Sequence, residues 1–278
     1  MSLLQLPEIR ADARLGCADF DLRPDALERW APQVRATTEE DSTISIYDAI
    51  GEAWDGSGVT VKRIQGALRS IGSRDVTVNI NSPGGNFFEG VAIYNALREH
   101  KAKVTIKVLG LAASAASVIA MAGDEIQMGH GSFIMIHNAW AVAIGNRHDL
   151  AEAAMKLKPF DEAMAQVYSA RTGLSVKVAA EMMDKETWIG AQQALDDGFA
   201  TTLLDARETT EAPQSSTERR AMAMIEASMA KAGYSRSTRR DAFKALFTGK
   251  PGATDHAKPS AGDDIAALLQ TTLSTLRG

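Results

Sequence analysis

The stretch that decides the fold covers residues 75–122, DVTVNINSPGGNFFEGVAIYNALREHKAKVTIKVLGLAASAASVIAMA. Two segments of it, 75–80 and 103–110, have the apolar alternation of β-strands. Two others, 86–99 and 112–122, have the apolar content and spacing of helices. Strands that alternate with helices are typical of βα units stacked around a largely parallel sheet. The sequence therefore predicts an α/β fold.

Further elements continue this pattern on both sides of the stretch. Upstream, ISIYDAIG begins a strand near residue 43, and 59–71 is predicted to be a helix. Downstream, the sequence predicts a strand at 133–136, helices at 147–171, 175–183 and 190–197, and a strand at 199–204. Pro159 lies inside the longest of these helices and is expected to kink it or split it in two.

Composition changes on both sides of this region and suggests the domain limits. We predict one folded domain at 43–205, an N-terminal extension at 1–42 and a C-terminal extension at 206–278. The C-terminal extension is expected to be partly helical, at 217–232 and again near 263–276. Between these helices lies TGKPGATDHAKPSAGDD, which is rich in Gly, Pro and polar residues and is expected to be disordered.

Charge and cysteine content exclude several classes of partner. The formal net charge is -5, so we expect no binding to nucleic acid or anionic lipid, since both select basic surfaces. Cys17 is the only cysteine, which rules out an intrachain disulfide and fits a reducing compartment. The apolar stretch 109–123 is shorter than a membrane helix, and the N-terminus lacks a signal-peptide core. We therefore expect a cytoplasmic protein without a membrane partner.

Three short motifs carry residues suited to hydrolysing an amide, a reaction that needs a nucleophile, a base, a group that orients the base, and oxyanion donors. Ser114 lies where a strand meets a helix, and a helix start favours developing negative charge. Gly84 and Gly85 in SPGG permit positive φ and close backbone approach. His137 follows the apolar run FIMI. Each also has an ordinary interpretation: a helix cap, a strand-to-helix turn and a satisfied structural histidine.

Neither a metal nor a nucleotide site is predicted. The sequence contains no CxxC or HExxH motif, and the other histidines show no ligand spacing: His100, His130, His148 and His256. GKPG at 249–252 lacks the GxxxxGK[ST] pattern, so any ATP dependence would come from a partner protein. We expect no cofactor.

In their order along the chain, these motifs resemble one family closely. NINSPGGNFFEGVAIYNAL, GLAASAASVIAMAG, FIMIHNA and TGLSVKVAAEMMDKETWIGAQQALDDG are similar to ClpP, the proteolytic subunit of the Clp protease. IYDAIG, GVTVKRI and ETWIGA make the likeness closest to the ClpP-like head-maturation peptidases of tailed phages and prophages. The resemblance covers about 43–205. It implies the ClpP/crotonase fold, which consists of stacked ββα units with a protruding helical handle, here 147–183.

The resemblance also implies site residues. It puts the nucleophile at Ser114, the general base at His137, and the oxyanion-hole N–H groups at Gly85 and Ala115.

The third member of the triad is where the sequence departs from the family. The family usually has an aspartate two residues before an aromatic residue, and here Glu186 precedes Trp188 by two. A glutamate can hold an imidazole as an aspartate does, but its extra methylene changes its reach. We expect Glu186 to orient His137, with neighbouring Asp184 as the alternative.

The resemblance implies a serine endopeptidase that assembles into homo-oligomeric rings and cleaves polypeptides. For a phage-type enzyme the expected substrates are capsid and scaffold precursors, and a Clp-type ATPase unfoldase is a further candidate partner. Three alternatives stay open. A crotonase-type acyl-CoA enzyme would share the fold and the glycine oxyanion hole. A signal-peptide-peptidase-like enzyme would use a lysine as its base, namely Lys101, Lys103 or Lys107. A capsid-assembly or scaffold protein would have the fold without the chemistry.

Overall fold

A computed structural model describes residues 23–31, 34–36, 40–53, 58–141, 143, 145–205, 209–211 and 215–248. The helices of this part are α1 (Pro24–Arg29), α2 (Val61–Ile71), α3 (Phe87–Arg98), α4 (Ala115–Ala120), α5 (Arg147–Thr172), α6 (Val176–Asp184), α7 (Ala191–Asp196), α8 (Ser215–Lys231) and α9 (Arg236–Thr248). The strands are β1 (Val34–Ala36), β2 (Thr43–Ile46), β3 (Val76–Ser82), β4 (Val104–Ala113), β5 (Glu125–Met128), β6 (Phe133–Ile136), β7 (Thr187–Gly190), β8 (Thr202–Leu203) and β9 (Thr209–Glu211). The disordered stretch and the last helix expected after residue 248 lie outside the described residues.

A parallel-rich sheet forms the centre of the domain and confirms the predicted α/β class. Five strands run in the order β2-β3-β4-β5-β8, all with parallel neighbours. Two more strands lie off this path, because β6 pairs in parallel with β4 and β7 pairs antiparallel with β6. The inner strands β3 and β4 are rich in Val and Ile and are largely buried, as expected of strands covered on both faces.

The longest strand, β4, changes neighbours along its length. Its first half pairs with β5, from Thr105 to Val108, and its last three residues pair with β6. The sheet therefore opens at the carboxyl end of β4, directly before Ser114. Crevices at the carboxyl ends of parallel strands are the usual place for binding sites in α/β proteins.

Small residues allow α3 and α4 to pack closely behind this opening. All six residues of α4 are buried. A Cβ built on Gly90 of α3 would lie 2.8 Å from the Cβ of Ala115, which is closer than side-chain atoms pack. The alanine-rich start of α4 thus lies directly against α3, and this contact fixes the helix at the end of β4.

The handle expected at 147–183 consists of α5 and α6. Pro159 does not split α5, which is a single helix of 26 residues with a capping box at Asn146 and a left-handed Gly173 after its last turn. Proline has no N–H, so the carbonyl of Met155, four residues before Pro159, lacks its usual helical hydrogen bond. Both residues are exposed, so this carbonyl lies on the solvent-facing side of the helix. Residues 147–159 contribute no fully buried side chain among those described; Leu157 packs against the core, and the half of α5 before it projects from the core.

Parts of both extensions fold onto the domain. Helix α8 matches the helix expected at 217–232, whereas α1, α9 and the two-stranded pair of β1 and β9 have no counterpart in the sequence-based predictions. Strands β5 and β7 were also missed, because each contains only two apolar residues and is a strand through its pairing with a neighbour. In the described part of the chain, no helix has both the length and the apolarity needed to span a bilayer.

Candidate active site

Ser114 occupies a strained turn between β4 and α4. Its backbone has φ 54 and ψ -123, a conformation that residues other than glycine rarely adopt. The turn is held on both sides, since the Ser114 N–H donates to the carbonyl of Met135 at 2.9 Å and the Ser114 carbonyl accepts from Ser117 N–H at 2.9 Å. A sharp turn of this kind, from strand to helix, presents a nucleophile in α/β-hydrolases.

The hydroxyl of Ser114 does not cap the helix. Ser114 is the N-cap residue of α4, yet its side chain makes no capping hydrogen bond. The cap interpretation of this serine is therefore wrong. The first N–H groups of a helix have no partner within that helix, and the N–H of Ala115 is the first in α4.

Gly84 lies directly against the turn of Ser114. A Cβ on Gly84 would be 2.5 Å from the carbonyl oxygen of Ala113 and 2.7 Å from the Cβ of Ser114. Its φ of 90 is also in the region that favours glycine. Only a glycine lets the SPGG loop approach this closely.

Gly85 is oriented by a parallel bridge to Ile50. The Ile50 N–H donates to the carbonyl of Gly84 at 2.8 Å, and the Asn86 N–H donates to the carbonyl of Ile50 at 2.9 Å. In such a bridge the residue between the two bonded ones, here Gly85, points its own N–H away from the partner strand. The N–H of Gly85 is therefore not used by Ile50 and is available as a donor on the other side of the loop.

His137 follows β6 directly and is buried without a hydrogen bond. Its side chain is 6% exposed, and neither ring nitrogen has a hydrogen-bonding partner among the described residues. The interpretation as a satisfied structural histidine is therefore wrong, since buried polar groups without a partner are rare. Burial, followed by the positive charge of Arg23, lowers the pKa of His137 from 6.5 to about 4. The imidazole is consequently neutral at pH 7 and able to accept a proton.

Strand register brings three of the expected residues to one end of the sheet. Ala113 of β4 pairs with Met135 of β6, so that Ser114 lies beside the end of β6. Ile136 pairs with Thr187 of β7, so that His137 directly follows β6 where Glu186 directly precedes β7.

Glu186 nevertheless makes its ion pair with another residue. Its two carboxylate oxygens accept from Nη1 and Nη2 of Arg23 at 2.5 and 2.6 Å. The residue sits in a turn with φ 51, and its side chain is 46% exposed. The alternative carboxylate, Asp184, accepts from Nδ2 of Asn138 at 2.7 Å. Neither carboxylate is bonded to His137.

The segment after His137 is held by two carboxylates that the sequence analysis did not single out as a pair. Asp184 binds Asn138, and Oδ1 of Asp161 in α5 accepts from the N–H of Ala139 at 2.6 Å. Burial raises the pKa of Asp161, and the charges of Asp184 and Glu162 act in the same direction. These contacts tie the His137 segment to both helices of the handle.

Arg23 is the residue of the site that sequence analysis missed. It lies 163 positions from Glu186 in the N-terminal extension, where no motif marks it. No other signal in the sequence could have found it, because the ion pair depends on how α1 docks. Within the described ranges, no group of three or more His, Cys, Asp or Glu side chains is placed to hold a metal ion.

Comparison with known proteins gives a consistent result. A family model described as Clp protease matches residues 37–207. The ATP-dependent Clp protease proteolytic subunit 3 of Rhodococcus jostii is 32% identical over 136 residues, which are 48% of this chain and 67% of that protein. The proteolytic subunit of Deinococcus radiodurans is 31% identical over 134 residues, 48% of this chain and 66% of that protein. The chain thus spans about two thirds of the length of these relatives.

Among solved structures, a mutant of ClpP1 from Listeria monocytogenes superposes with a TM-score of 0.48 at 22% sequence identity, over 60% of this chain and 93% of the other. The match to the family model extends over nearly the whole of the sheet domain and includes Ser114, His137 and Glu186. Because it also covers more than half of the sequence, the chain belongs to the Clp protease family of serine endopeptidases.

Proposed function

We propose that this chain cleaves peptide bonds with Ser114 as nucleophile and His137 as general base, and with the N–H groups of Gly85 and Ala115 as oxyanion donors. One observation carries the proposal. A strained serine turn, a glycine loop in contact with it and a buried histidine without a partner meet at the carboxyl ends of neighbouring strands. Strain and unsatisfied buried groups are costly, and they cluster at functional sites.

The chemistry follows from this arrangement. As the Ser114 Oγ attacks the scissile carbonyl, its proton passes to the neutral imidazole of His137, and the carbonyl oxygen becomes an oxyanion that the backbone N–H groups stabilise. The imidazolium then gives its proton to the departing amine, which leaves an acyl-enzyme. Water, deprotonated by His137, hydrolyses this ester and restores Ser114.

We assign the third triad position to Glu186. Forming an imidazolium at a buried site with a lowered pKa needs a nearby negative charge. The pairing of Ile136 with Thr187 supports Glu186, since His137 directly follows Ile136 and Glu186 directly precedes Thr187, whereas Asp184 lies two residues further and binds Asn138.

Proteins of this family act on polypeptides and form homo-oligomeric rings, and we propose the same for this chain. The projecting half of α5 supports this role because it exposes large apolar side chains, with Leu150 at 46% and Met155 at 75% exposure. We further propose that the substrates are capsid and scaffold precursors of a phage or prophage, as the motifs IYDAIG, GVTVKRI and ETWIGA suggest.

The lysine-based alternative has little geometric support. Lys103 lies at the amino end of β4 and pairs with Glu125 at 2.6 Å. Lys107 lies in β4, seven residues before Ser114, and this separation corresponds to about 23 Å at the usual rise of a β-strand. Neither lysine can reach the Ser114 hydroxyl.

Covalent labelling with a fluorophosphonate probe, followed by peptide mapping, tests the proposal. The probe should modify Ser114, and Ser114→Ala should lose this label while Ser73→Ala, at an exposed serine, keeps it. A triad serine contributes about six orders of magnitude to the rate, so peptide hydrolysis should fall to background in Ser114→Ala. Unchanged hydrolysis in Ser114→Ala would refute the serine mechanism. A folded protein that neither labels nor hydrolyses, even after substitution of Arg23, would favour the scaffold alternative.

A further inference from the structure

The segment 23–31 of the N-terminal extension packs beside the ends of β4 and β6 and binds one residue of the proposed active site. We propose that Arg23 in this segment holds Glu186 away from His137, so that the segment acts as an intramolecular restraint on the peptidase. This inference rests on the proposed function, because it concerns the same three residues.

The contact between Arg23 and Glu186 is bidentate. Both oxygens of Glu186 are taken by the two terminal nitrogens of Arg23 at 2.5 and 2.6 Å. The remaining nitrogen, Nε, donates to Oδ1 of Asp25 at 2.9 Å. The Arg23 side chain is only 15% exposed, and a bidentate guanidinium–carboxylate pair of this kind is directional as well as strong.

The rest of the segment is anchored by apolar burial. Ala26, Leu27 and Trp30 are essentially inaccessible to solvent and pack in one cluster with Ala113 and Met135, the residues next to Ser114 and Ile136. Burial of these apolar side chains stabilises the docked position. The segment is thus attached to the two strands that end in the proposed catalytic residues.

Polar contacts fix the orientation of the segment. Nε1 of Trp30 donates to the carbonyl of Asn81 at 3.0 Å, and Nδ2 of Asn81 donates to the carbonyl of Ala31 at 2.8 Å. The Arg29 guanidinium lies 4.1 Å from the ring centroid of Trp188 in β7. The segment therefore contacts β3 and β7 as well as β4 and β6, and Arg23 is positioned at the turn where Glu186 leads into β7.

The lack of a hydrogen-bonding partner at His137 is what such a restraint would produce. Both of its ring nitrogens lack a partner among the described residues while the carboxylate opposite is occupied by Arg23. Three charged groups act on the pKa of His137: Arg23 lowers it, and Glu186 and Asp25 raise it less. The carboxylates of the handle side, Asp184 and Asp161, are bonded to Asn138 and to the N–H of Ala139. Glu186 is thus the carboxylate that register would bring to the imidazole once Arg23 leaves.

If Arg23 instead orients Glu186 for catalysis, its removal should change the activity in the opposite direction. If Arg23 held Glu186 in its productive position, removing the guanidinium would lower activity. Under restraint, removing it raises activity, because Glu186 becomes free to accept the ring N–H of His137. Loss of this carboxylate interaction lowers kcat by about four orders of magnitude in a serine protease. The restrained enzyme therefore has ample range for an increase in rate.

The test compares Arg23→Gln with Arg29→Gln in the full chain. Arg29 is a matched control, since it is the last residue of α1, whose N-cap is Arg23, and it stacks on Trp188 whereas Arg23 binds Glu186. The rate of fluorophosphonate labelling of Ser114 is measured as a function of pH, and the titration of His137 is followed by NMR. Arg23→Gln should raise the labelling rate by about tenfold or more, well below the ceiling set by the carboxylate's full contribution. It should also move the His137 titration to higher pH, whereas Arg29→Gln should change neither.

Two further variants keep the outcome decisive. Arg23→Lys keeps the charge but loses the bidentate contact, so its labelling rate should lie between those of the wild type and Arg23→Gln. In a Glu186→Gln background, Arg23→Gln should give no increase. A fall in labelling with Arg23→Gln, an unshifted His137 titration, or an increase that persists without Glu186 would each overturn the restraint. If no variant is labelled at Ser114, the proposed function fails, and the His137 titration still decides whether Arg23 acts on this site.

Discussion

Acidification should destabilise the fold through His137, because the folded protein resists protonation of this buried ring. The pKa of His137 is lowered from 6.5 to about 4, first by burial and then by the charge of Arg23. In the unfolded chain the ring takes up its proton near pH 6.5. Stability is therefore complete above pH 6.5 and decreases progressively as the pH falls toward 4.

The magnitude follows from the two pKa values. At pH 4.5 nearly all unfolded chains carry the proton on this ring, while most folded molecules do not. The resulting loss in the free energy of unfolding is about 2–3 kcal/mol relative to pH 7.5. This is a large fraction of the total for a domain that is stable by roughly 5–15 kcal/mol.

Urea denaturation of the wild type and of His137→Gln, at both pH values, measures this contribution. Glutamine is similar in size and does not titrate, and the other titrating groups, including Asp25 and Asp161, are common to both proteins. The wild type should therefore lose about 2–3 kcal/mol more than His137→Gln between pH 7.5 and 4.5. Equal losses in the two proteins would show that His137 is not held neutral by its surroundings, and the burial argument would be wrong.

Three other substitutions test the site, the docked segment and the handle. Gly84→Ala should lower Ser114 labelling by about 10²-fold or more, since its Cβ would push the turn away, whereas Gly72→Ala, also at positive φ but with nothing within 4 Å, should not change labelling. Trp30→Ala should lower the free energy of unfolding by about 3–5 kcal/mol in urea denaturation, because the indole is buried in the docked segment; a loss below about 1 kcal/mol would mean that the segment is only loosely attached. Met155→Glu combined with Leu150→Glu should reduce the assembly size measured by light scattering while leaving circular dichroism unchanged, and an unaltered particle mass would remove the projecting half of α5 from the subunit contacts.

Much of the sheet and its helices could be predicted from the sequence, because their signals are local. Residues 75–122 alternate in the periods of strands and helices, and the structure has β3, α3, β4 and α4 there. Likewise, the order of the motifs around Ser114 and His137 was sufficient to recognise the family that the match to the family model then identified. Short strands such as β7 were not visible, since TWIG becomes a strand only by pairing with β6.

The state of the site depends instead on contacts between distant parts of the chain. The sequence by itself placed Ser114 after one predicted strand and His137 after another, and the resemblance to ClpP assigned both to one site. Only the tertiary structure decided that Arg23 would bind Glu186, because α1 docks through Trp30 and Leu27 onto residues about 80–110 positions away. Hydrophobic periodicity specifies an element and its buried face, whereas an ion pair between two loops depends on distances of a few ångströms that only the packed chain sets.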